Sequence, residues 1–127
     1  MNKQCITAEA APAALGPYSH AVRTGNLLYL SGQGSFTTDG IVKGTLEEET
    51  HQTFANIKAV LEAANLTLSD VVKTLVFLDD MDKFKAFNAV YKEYFPENPP
   101  ARSCVEAARL PGDIQVEIEV IAAFPEA

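Results

Sequence analysis

Between positions 47 and 65 the apolar residues recur at spacings of three, four and three, which is one face of an α-helix. They are Phe54, Ile57, Leu61 and Ala64. Thr45 precedes a run of glutamates, and a hydroxyl cap followed by acids is typical of a helix start. The pattern therefore predicts a first helix over Glu47 to Asn65.

The apolar pattern then changes period twice. Val71 to Leu78 is apolar at nearly every position, which predicts a central strand covered on both faces. After it, Asp80 or Asp82 can cap a second helix, which Pro96 ends. The apolar face of this helix repeats the three, four, three spacing with Phe84, Phe87, Tyr91 and Tyr94.

In the first third of the chain the predicted elements are short and are separated by residues that favour turns. Residues 8–19 contain two prolines and a glycine, which favour an extended arm over a helix. His20 to Thr24 and Leu27 to Ser31 are predicted as strands joined by a tight turn at Gly25-Asn26. The glycines of residues 32–35 are expected to end the second strand, and residues 37–40 carry turn chemistry again.

The last third predicts a hairpin. An extended run containing Arg102 and Cys104 on one side leads to the turn Pro111-Gly112-Asp113, and a β-branched return run carries Glu117. The whole order is hairpin, helix, strand, helix, hairpin, which predicts an α+β fold with a mixed sheet and both helices on one face. Because the helices leave the second apolar face of the sheet uncovered, we expect identical subunits to cover it.

Within a flat hairpin Arg102 and Glu117 share a side but stand about four residues apart. At about 3.3 Å per residue that is roughly 13 Å, too far for both to hold one small substrate. Either a site shared across a subunit boundary or a bulge or longer loop between residues 110 and 113 would bring them together.

Composition narrows the class of protein. A chain of 127 residues is expected to be a single domain over 1–127, and no apolar run or N-terminal signal predicts a membrane or secreted protein, so we expect a cytoplasmic one. The net charge of −7, with scattered lysines, argues against nucleic acid as the main ligand. Reduced Cys5 and Cys104 are favoured over a disulfide.

The sequence lacks the motifs that would predict a metal site, a phosphate-binding loop or a cysteine nucleophile. His20 and His51 have no metal-ligand spacing, so no metal site is predicted. Residues 31–35 are glycine-rich but lack the Gly-Lys-Ser/Thr ending of a phosphate loop. No visible motif places a histidine to activate Cys104, which we interpret as lining a pocket rather than attacking.

The segment PARSCVEAARLPGDIQVEIEVIA, residues 100–122, resembles the signature of the YjgF/RidA family of 2-imino acid deaminases, long labelled translation inhibitors or L-PSP endoribonucleases. The resemblance extends through Gly16-Pro17-Tyr18, Ser31-Gly32-Gln33 and Asn88, and so covers nearly the whole chain. It implies a chorismate-mutase-like fold and a homotrimer with a central β-barrel and sites in the clefts between subunits.

The same resemblance implies roles for particular residues. Arg102 would bind the carboxylate of an imino acid, and Glu117 would orient or activate the hydrolytic water. The implied substrate-binding residues are Tyr18, Ser31, Gly32, Asn88, Arg102 and Cys104. A departure from the family pattern at Gly34-Ser35-Phe36 is expected to reshape one wall of the pocket.

The implied function is a 2-iminobutanoate/2-iminopropanoate deaminase that hydrolyses enamine and imine intermediates to 2-oxo acids and ammonia without a cofactor. Its partners would be small 2-imino and 2-oxo acids and further copies of the chain. Two alternatives stay open: a non-catalytic metabolite-binding or regulatory module on the same scaffold, and an endoribonuclease or translation inhibitor, as the older labels imply.

Overall fold

In a computed structural model, which describes residues 2–125, two helices pack on one face of a six-stranded mixed sheet. The elements are β1 (Lys3–Ile6), β2 (Ala21–Thr24), β3 (Leu27–Gln33), β4 (Phe36–Thr37), β5 (Gly40–Ile41), α1 (Leu46–Ala63), β6 (Val71–Leu78), α2 (Phe84–Tyr94), β7 (Ala101–Glu106) and β8 (Val116–Ala123). The strand order is β1-β2-β3-β8-β6-β7, and β4 and β5 form a separate hairpin. The predicted domain also includes Met1, Glu126 and Ala127, which lie outside the described residues.

Both predicted helices are confirmed: α1 begins one residue earlier and ends two residues earlier than predicted, and α2 ends at Tyr94, two residues before Pro96. The Thr45 hydroxyl accepts a hydrogen bond from the Glu48 amide at 3.1 Å, and the Glu48 carboxylate accepts one from the Thr45 amide at 2.9 Å. This capping box, chiefly its backbone hydrogen bond, also lowers the pKa of Glu48. Of the two candidate caps for the second helix, Asp80 accepts from the Asp82 amide at 2.8 Å and starts a short 3₁₀ turn that leads into α2.

The core lies between α1, α2 and the inner strands of the sheet. Phe54, Ile57 and Leu61 of α1 are fully buried. The ring of Phe54 meets the edge of Tyr91 on α2 with centroids 5.9 Å apart, so the two helices are joined by aromatic packing. Burying each large apolar side chain of this kind stabilises the fold by about 1.5–3 kcal/mol.

The predicted C-terminal hairpin is wrong. β6 lies between β7 and β8, parallel to β7 and antiparallel to β8. The connection from residue 107 to 115 passes over the end of β6: the Ala107 amide donates to Leu78 O at 2.8 Å, and the Asp79 amide donates to Gln115 O at 3.0 Å. These two hydrogen bonds hold both ends of the connection to β6, so the turn serves a crossover instead of a hairpin.

Three further features differ from the expectation. β3 continues through Gly32 to Gln33, with a register irregularity after Leu30, instead of ending at the glycines. β1 and the β4–β5 hairpin are additional strands. β6 is next to the edge of the sheet, not central, and the residues on its helix-free face are only half buried.

Within residues 2–125, no helix combines the length and the apolar character that crossing a bilayer requires.

Candidate active site

The structure separates the two predicted catalytic side chains. Arg102 pairs with Thr74, a fully buried residue on the face of the sheet that the helices cover. Glu117 pairs with Phe77 on the opposite face. The sequence-based estimate that Arg102 and Glu117 share a side is therefore wrong, because it assumed a hairpin between β7 and β8.

Glu117 lies in a cavity of about 280 Å³ between the N-terminal arm, β3, the start of β4 and the turn before β8. We call it the Glu117 cavity. Its lining includes the predicted site residues Tyr18, Gly32 and Glu117, and it also includes residues that sequence reasoning did not assign to the site, namely Pro12, Leu15, His20, Gln33 and Pro111. Phe36, which we expected to reshape one wall, lies on that wall.

Gly32 admits the Glu117 carboxylate into the cavity. A Cβ atom added at Gly32 would lie 2.7 Å from Glu117 Oε2 and 2.9 Å from Cδ. Contacts this short do not occur between real side chains, so any larger residue at position 32 must displace the carboxylate. Although Gly32 is within a strand, its lack of a side chain is required for close approach and not for backbone freedom.

The Glu117 carboxyl group is set up to accept a proton. Burial raises its pKa above the ordinary value of 4.5, and the neighbouring Glu119 carboxylate raises it further. Among the described residues, Glu117 forms no ion pair that would offset these effects. When ionised, a carboxylate with a raised pKa is a stronger base, which suits the removal of a proton from water.

The arm that closes the cavity is held by His20 and Ser31. The Ala8 amide donates to His20 Nδ1 at 2.8 Å, so the ring carries its proton on Nε2 and donates it to Pro12 O at 2.8 Å. The Ser31 hydroxyl donates to Ser19 O at 2.7 Å. Ser31 therefore fixes the arm to β3, and nothing in the sequence pattern had marked His20 for this role.

Arg102 belongs to a second group, the Arg102 cluster, formed with Phe84, Asn88 and Tyr91 of α2. Its Nη1 donates to Asn88 Oδ1 at 2.8 Å. The guanidinium carbon lies 4.8 Å from the Tyr91 ring centroid and 5.4 Å from that of Phe84. These contacts fix the plane of the guanidinium, and no carboxylate within residues 2–125 forms an ion pair with it.

Cys104 follows Arg102 on the same face of β7. Burial raises the pKa of its thiol, and the Arg102 guanidinium only partly opposes that effect. A protonated, half-buried thiol agrees with a lining role better than with nucleophilic attack. Cys5 is on β1 at the other edge of the sheet, and both cysteines are free.

The predicted site residues thus form two half-sites in one chain. Tyr18, Gly32 and Glu117 meet in the Glu117 cavity, while Arg102 and Asn88 meet near Cys104 on β7. No group of three His, Cys, Asp or Glu side chains within the described part of the chain is arranged to hold a metal ion. The arrangement has a half-buried carboxyl group with a raised pKa in one half and a guanidinium held by a hydrogen bond and two aromatic rings in the other.

Comparison with known proteins places this arrangement in a family. The chain is 49% identical over 122 residues to the RutC family protein PH0854 of Pyrococcus horikoshii, covering 94% of this chain and 97% of that protein. It is 46% identical over 121 residues to a protein of Escherichia coli named 2-iminobutanoate/2-iminopropanoate deaminase, covering 92% and 94%. Its fold matches the crystal structure of the E. coli YjgF gene product with a TM-score of 0.88 at 44% identity, covering 94% and 98%.

The match to the YjgF structure confirms the predicted fold of two helices on a mixed sheet. The family model described as Endoribonuclease L-PSP matches residues 8–124, which includes both half-sites. The chain therefore belongs to the Endoribonuclease L-PSP family, also called the YjgF/RidA family.

Proposed function

We propose that the protein hydrolyses small 2-imino acids, such as 2-iminobutanoate and 2-iminopropanoate, to 2-oxo acids and ammonia. The observation that carries the proposal is Arg102, whose guanidinium is oriented by Asn88 and Tyr91 and has no carboxylate partner within residues 2–125. An arginine held in this way suits bidentate binding of a small carboxylate. The name of the E. coli relative at 46% identity supports the choice of substrate.

The proposed chemistry needs one base and one cation. Arg102 holds the substrate carboxylate, and ionised Glu117 takes a proton from water as the water oxygen attacks C2 of the C=N bond. That proton passes from Glu117 to the imine nitrogen to give a carbinolamine, the proton of its hydroxyl group then moves to the same nitrogen, and the C2–N bond breaks as C2=O forms and ammonia leaves. Because the imine carbon is already electrophilic, orientation and proton transfer supply the catalysis, and no cofactor enters the balance.

A complete site needs two copies of the chain in this proposal. Arg102 and Glu117 are on opposite faces of one sheet, so the Glu117 cavity of one subunit must meet the Arg102 cluster of another. Tyr29 is 43% exposed and Val105 42% exposed on the helix-free face, where a neighbouring subunit would cover them. We propose a homotrimer with sites at its subunit boundaries.

The test is an assay in which a dehydratase or an amino-acid oxidase generates the imine and the release of 2-oxo acid is followed. We expect the protein to accelerate release and Arg102→Ala to lower kcat/KM by at least about 100-fold, since two charge-assisted hydrogen bonds are each worth about 1.5–3 kcal/mol. No acceleration by the wild-type protein, or full activity in Arg102→Ala, contradicts the proposal.

The same experiment separates the alternatives predicted from the sequence. Binding of a 2-oxo acid without turnover would select a metabolite-binding module. Cleavage of RNA that survives purification and disappears in Arg102→Ala or Glu117→Gln would select the ribonuclease, which the net charge of −7 argues against.

A further inference from the structure

A buried carboxylate outside the proposed catalytic pair has no assigned role. Glu49 on α1 is 2% exposed. Its Oε1 accepts hydrogen bonds from the Gln115 amide at 2.9 Å and from the Ser35 hydroxyl at 3.2 Å, and its Oε2 accepts one from Gln115 Nε2 at 2.5 Å. Burying a carboxylate is costly, and three donors converging on one group offset much of that cost.

Gln115 is the centre of this network. Its second amide hydrogen is donated to Gly44 O at 2.9 Å, and its Oε1 accepts from Lys83 Nζ at 2.8 Å. Its backbone oxygen accepts from the Asp79 amide at 3.0 Å. Every polar group of Gln115 therefore has a partner, and its side chain bridges the Glu49 carboxylate and the Lys83 ammonium.

The network touches the two segments that form the walls of the Glu117 cavity. Gln115 is two residues before Glu117, immediately ahead of β8. Ser35 is three residues after Gly32, and its own stretch of chain is held to α1 a second time, because Asn56 Nδ2 donates to Gly34 O and Phe36 O, both at 2.8 Å. A single helix thus fixes the distance between the glycine and the carboxylate that approach each other across the cavity.

We infer that Glu49 and Gln115 are positioning residues for Glu117: the hydrogen bonds between them hold the start of β8 against the end of β3, so that the Glu117 carboxylate stays over Gly32. The inference rests on the proposed function, since it gives this network a purpose in activating water. Neither residue touches the proposed substrate, because both act through the backbone that carries Glu117.

The test exchanges the amide of Gln115 and the carboxylate of Glu49 in two steps, beginning with Gln115→Glu alone. Gln115→Glu places a carboxylate where an amide now donates to Glu49 Oε2, so like charges repel. We expect kcat to fall by about 100-fold, the cost of misplacing a catalytic group by about 1 Å. KM should change little, because the Arg102 cluster lies on the other face of the sheet.

The double variant Glu49→Gln/Gln115→Glu restores the pairing and keeps the wild-type net charge. The introduced amide can donate to the introduced carboxylate, which also faces Lys83, so kcat should return most of the way to wild type. Glu47→Gln is the matched control, an exposed glutamate on the same turn of α1. Wild-type kcat in Gln115→Glu, or a loss that the double variant does not relieve, overturns the inference.

A second readout does not depend on activity. In ¹³C-carboxyl NMR titrations of the wild type, burial, with a contribution from Glu119, should keep the pKa of Glu117 above its ordinary value. In Gln115→Glu, a displaced, more hydrated Glu117 should show a shift of its pKa toward the ordinary value, and the double variant should reverse the shift. An unchanged pKa in Gln115→Glu overturns the inference, whereas an inactive wild type with these shifts overturns only the proposed deaminase.

Discussion

The Glu117 cavity and the Arg102 cluster place their charged groups by different means. Glu117 is held in a cavity lined by glycines and by apolar and neutral polar side chains, and burial, with a contribution from the Glu119 carboxylate, raises its pKa. Arg102 lies on an edge strand and is oriented by three side chains of one helix. The comparison shows that burial raises the pKa of a carboxyl group, whereas side-chain contacts fix the plane of a guanidinium without burying its charge beside a carboxylate.

In the proposed mechanism, neither half is a complete site. Among the described residues, no lysine or arginine lines the Glu117 cavity, and no carboxylate forms an ion pair with Arg102. Since the sheet separates the two halves, the proposed mechanism requires contact between subunits to bring them together.

Mixing two inactive variants should restore activity. Arg102→Ala chains keep an intact Glu117 cavity, and Glu117→Gln chains keep an intact Arg102 cluster. If each site takes one half from each of two subunits, random co-assembly after unfolding and refolding leaves about a quarter of the sites intact. The measurement is imine hydrolysis by the refolded mixture relative to wild type, with each variant refolded alone as the control. A mixture no more active than its parents would show that one chain supplies both halves.

Gly32→Ala should damage the cavity half alone. The new Cβ would displace the Glu117 carboxylate, so we expect kcat to fall by up to about 100-fold, while stability should change by less than about 1 kcal/mol because the three nearest atoms belong to that one flexible side chain. Adding Gly32→Ala to Glu117→Gln should cost little further activity, since the glycine acts through that carboxylate. Additive losses in this double-mutant cycle would show a role for Gly32 that is independent of Glu117.

Asn88→Ala should weaken the cluster half. It removes the hydrogen bond from Arg102 Nη1 while leaving the rings of Phe84 and Tyr91 in place. A hydrogen bond to a charged group is worth about 1.5–3 kcal/mol, and partial exposure reduces that value, so kcat/KM should fall by about tenfold, mainly through KM. Steady-state kinetics over a range of substrate concentrations would show this split, and a change confined to kcat would contradict it.

The smallest expected effect is on the free energy of unfolding, and it tests whether burial raises the pKa of Glu117. Because the folded state raises the pKa of Glu117, ionising this carboxyl group destabilises the fold as pH rises through and above 4.5. Glu117→Gln should therefore be slightly more stable than wild type at pH 7 and no more stable at pH 4. Urea unfolding at both pH values measures the difference. Lower stability of the variant at pH 7 would show that the charged carboxylate is favoured in the fold.

Much of the fold could be predicted from local patterns. The spacing of Phe54, Ile57 and Leu61 predicted α1, and the capping box at Thr45 predicted its start within one residue. Such features depend on residues three or four positions apart, so they can be predicted from the sequence without knowledge of the tertiary structure. The β4–β5 hairpin was missed because two-residue strands have no detectable periodicity, and β1 was missed because three of its four residues are exposed and it shows no apolar alternation.

The relative positions of Arg102 and Glu117 in the sheet could not be predicted from local patterns. Arg102 and Glu117 were singled out by a motif in which they stand close in sequence, and the motif suggested a hairpin that the structure replaces with a crossover around β6. The three residues at the turn are compatible with either connection, because Gly112 and Asp113 both adopt positive φ, at 68° and 55°. In the structure β6 lies between β7 and β8, where both neighbouring strands pair with it along its length, and a short-range sequence pattern does not encode such pairing.

By itself, the order of residues determined the helices, the arm, the acidic charge and the identity of the chemical groups, because each depends on side chains and on short-range spacing. Tertiary structure alone decided which face of the sheet each group occupies, that Gly32 makes room for Glu117, and that Glu49 and Gln115 brace it. The physical reason is that strand pairing joins residues far apart in the chain, and its register sets the face: Arg102 is in line with Thr74 and Val120 across β6, so Glu117, three residues before Val120, points to the other face.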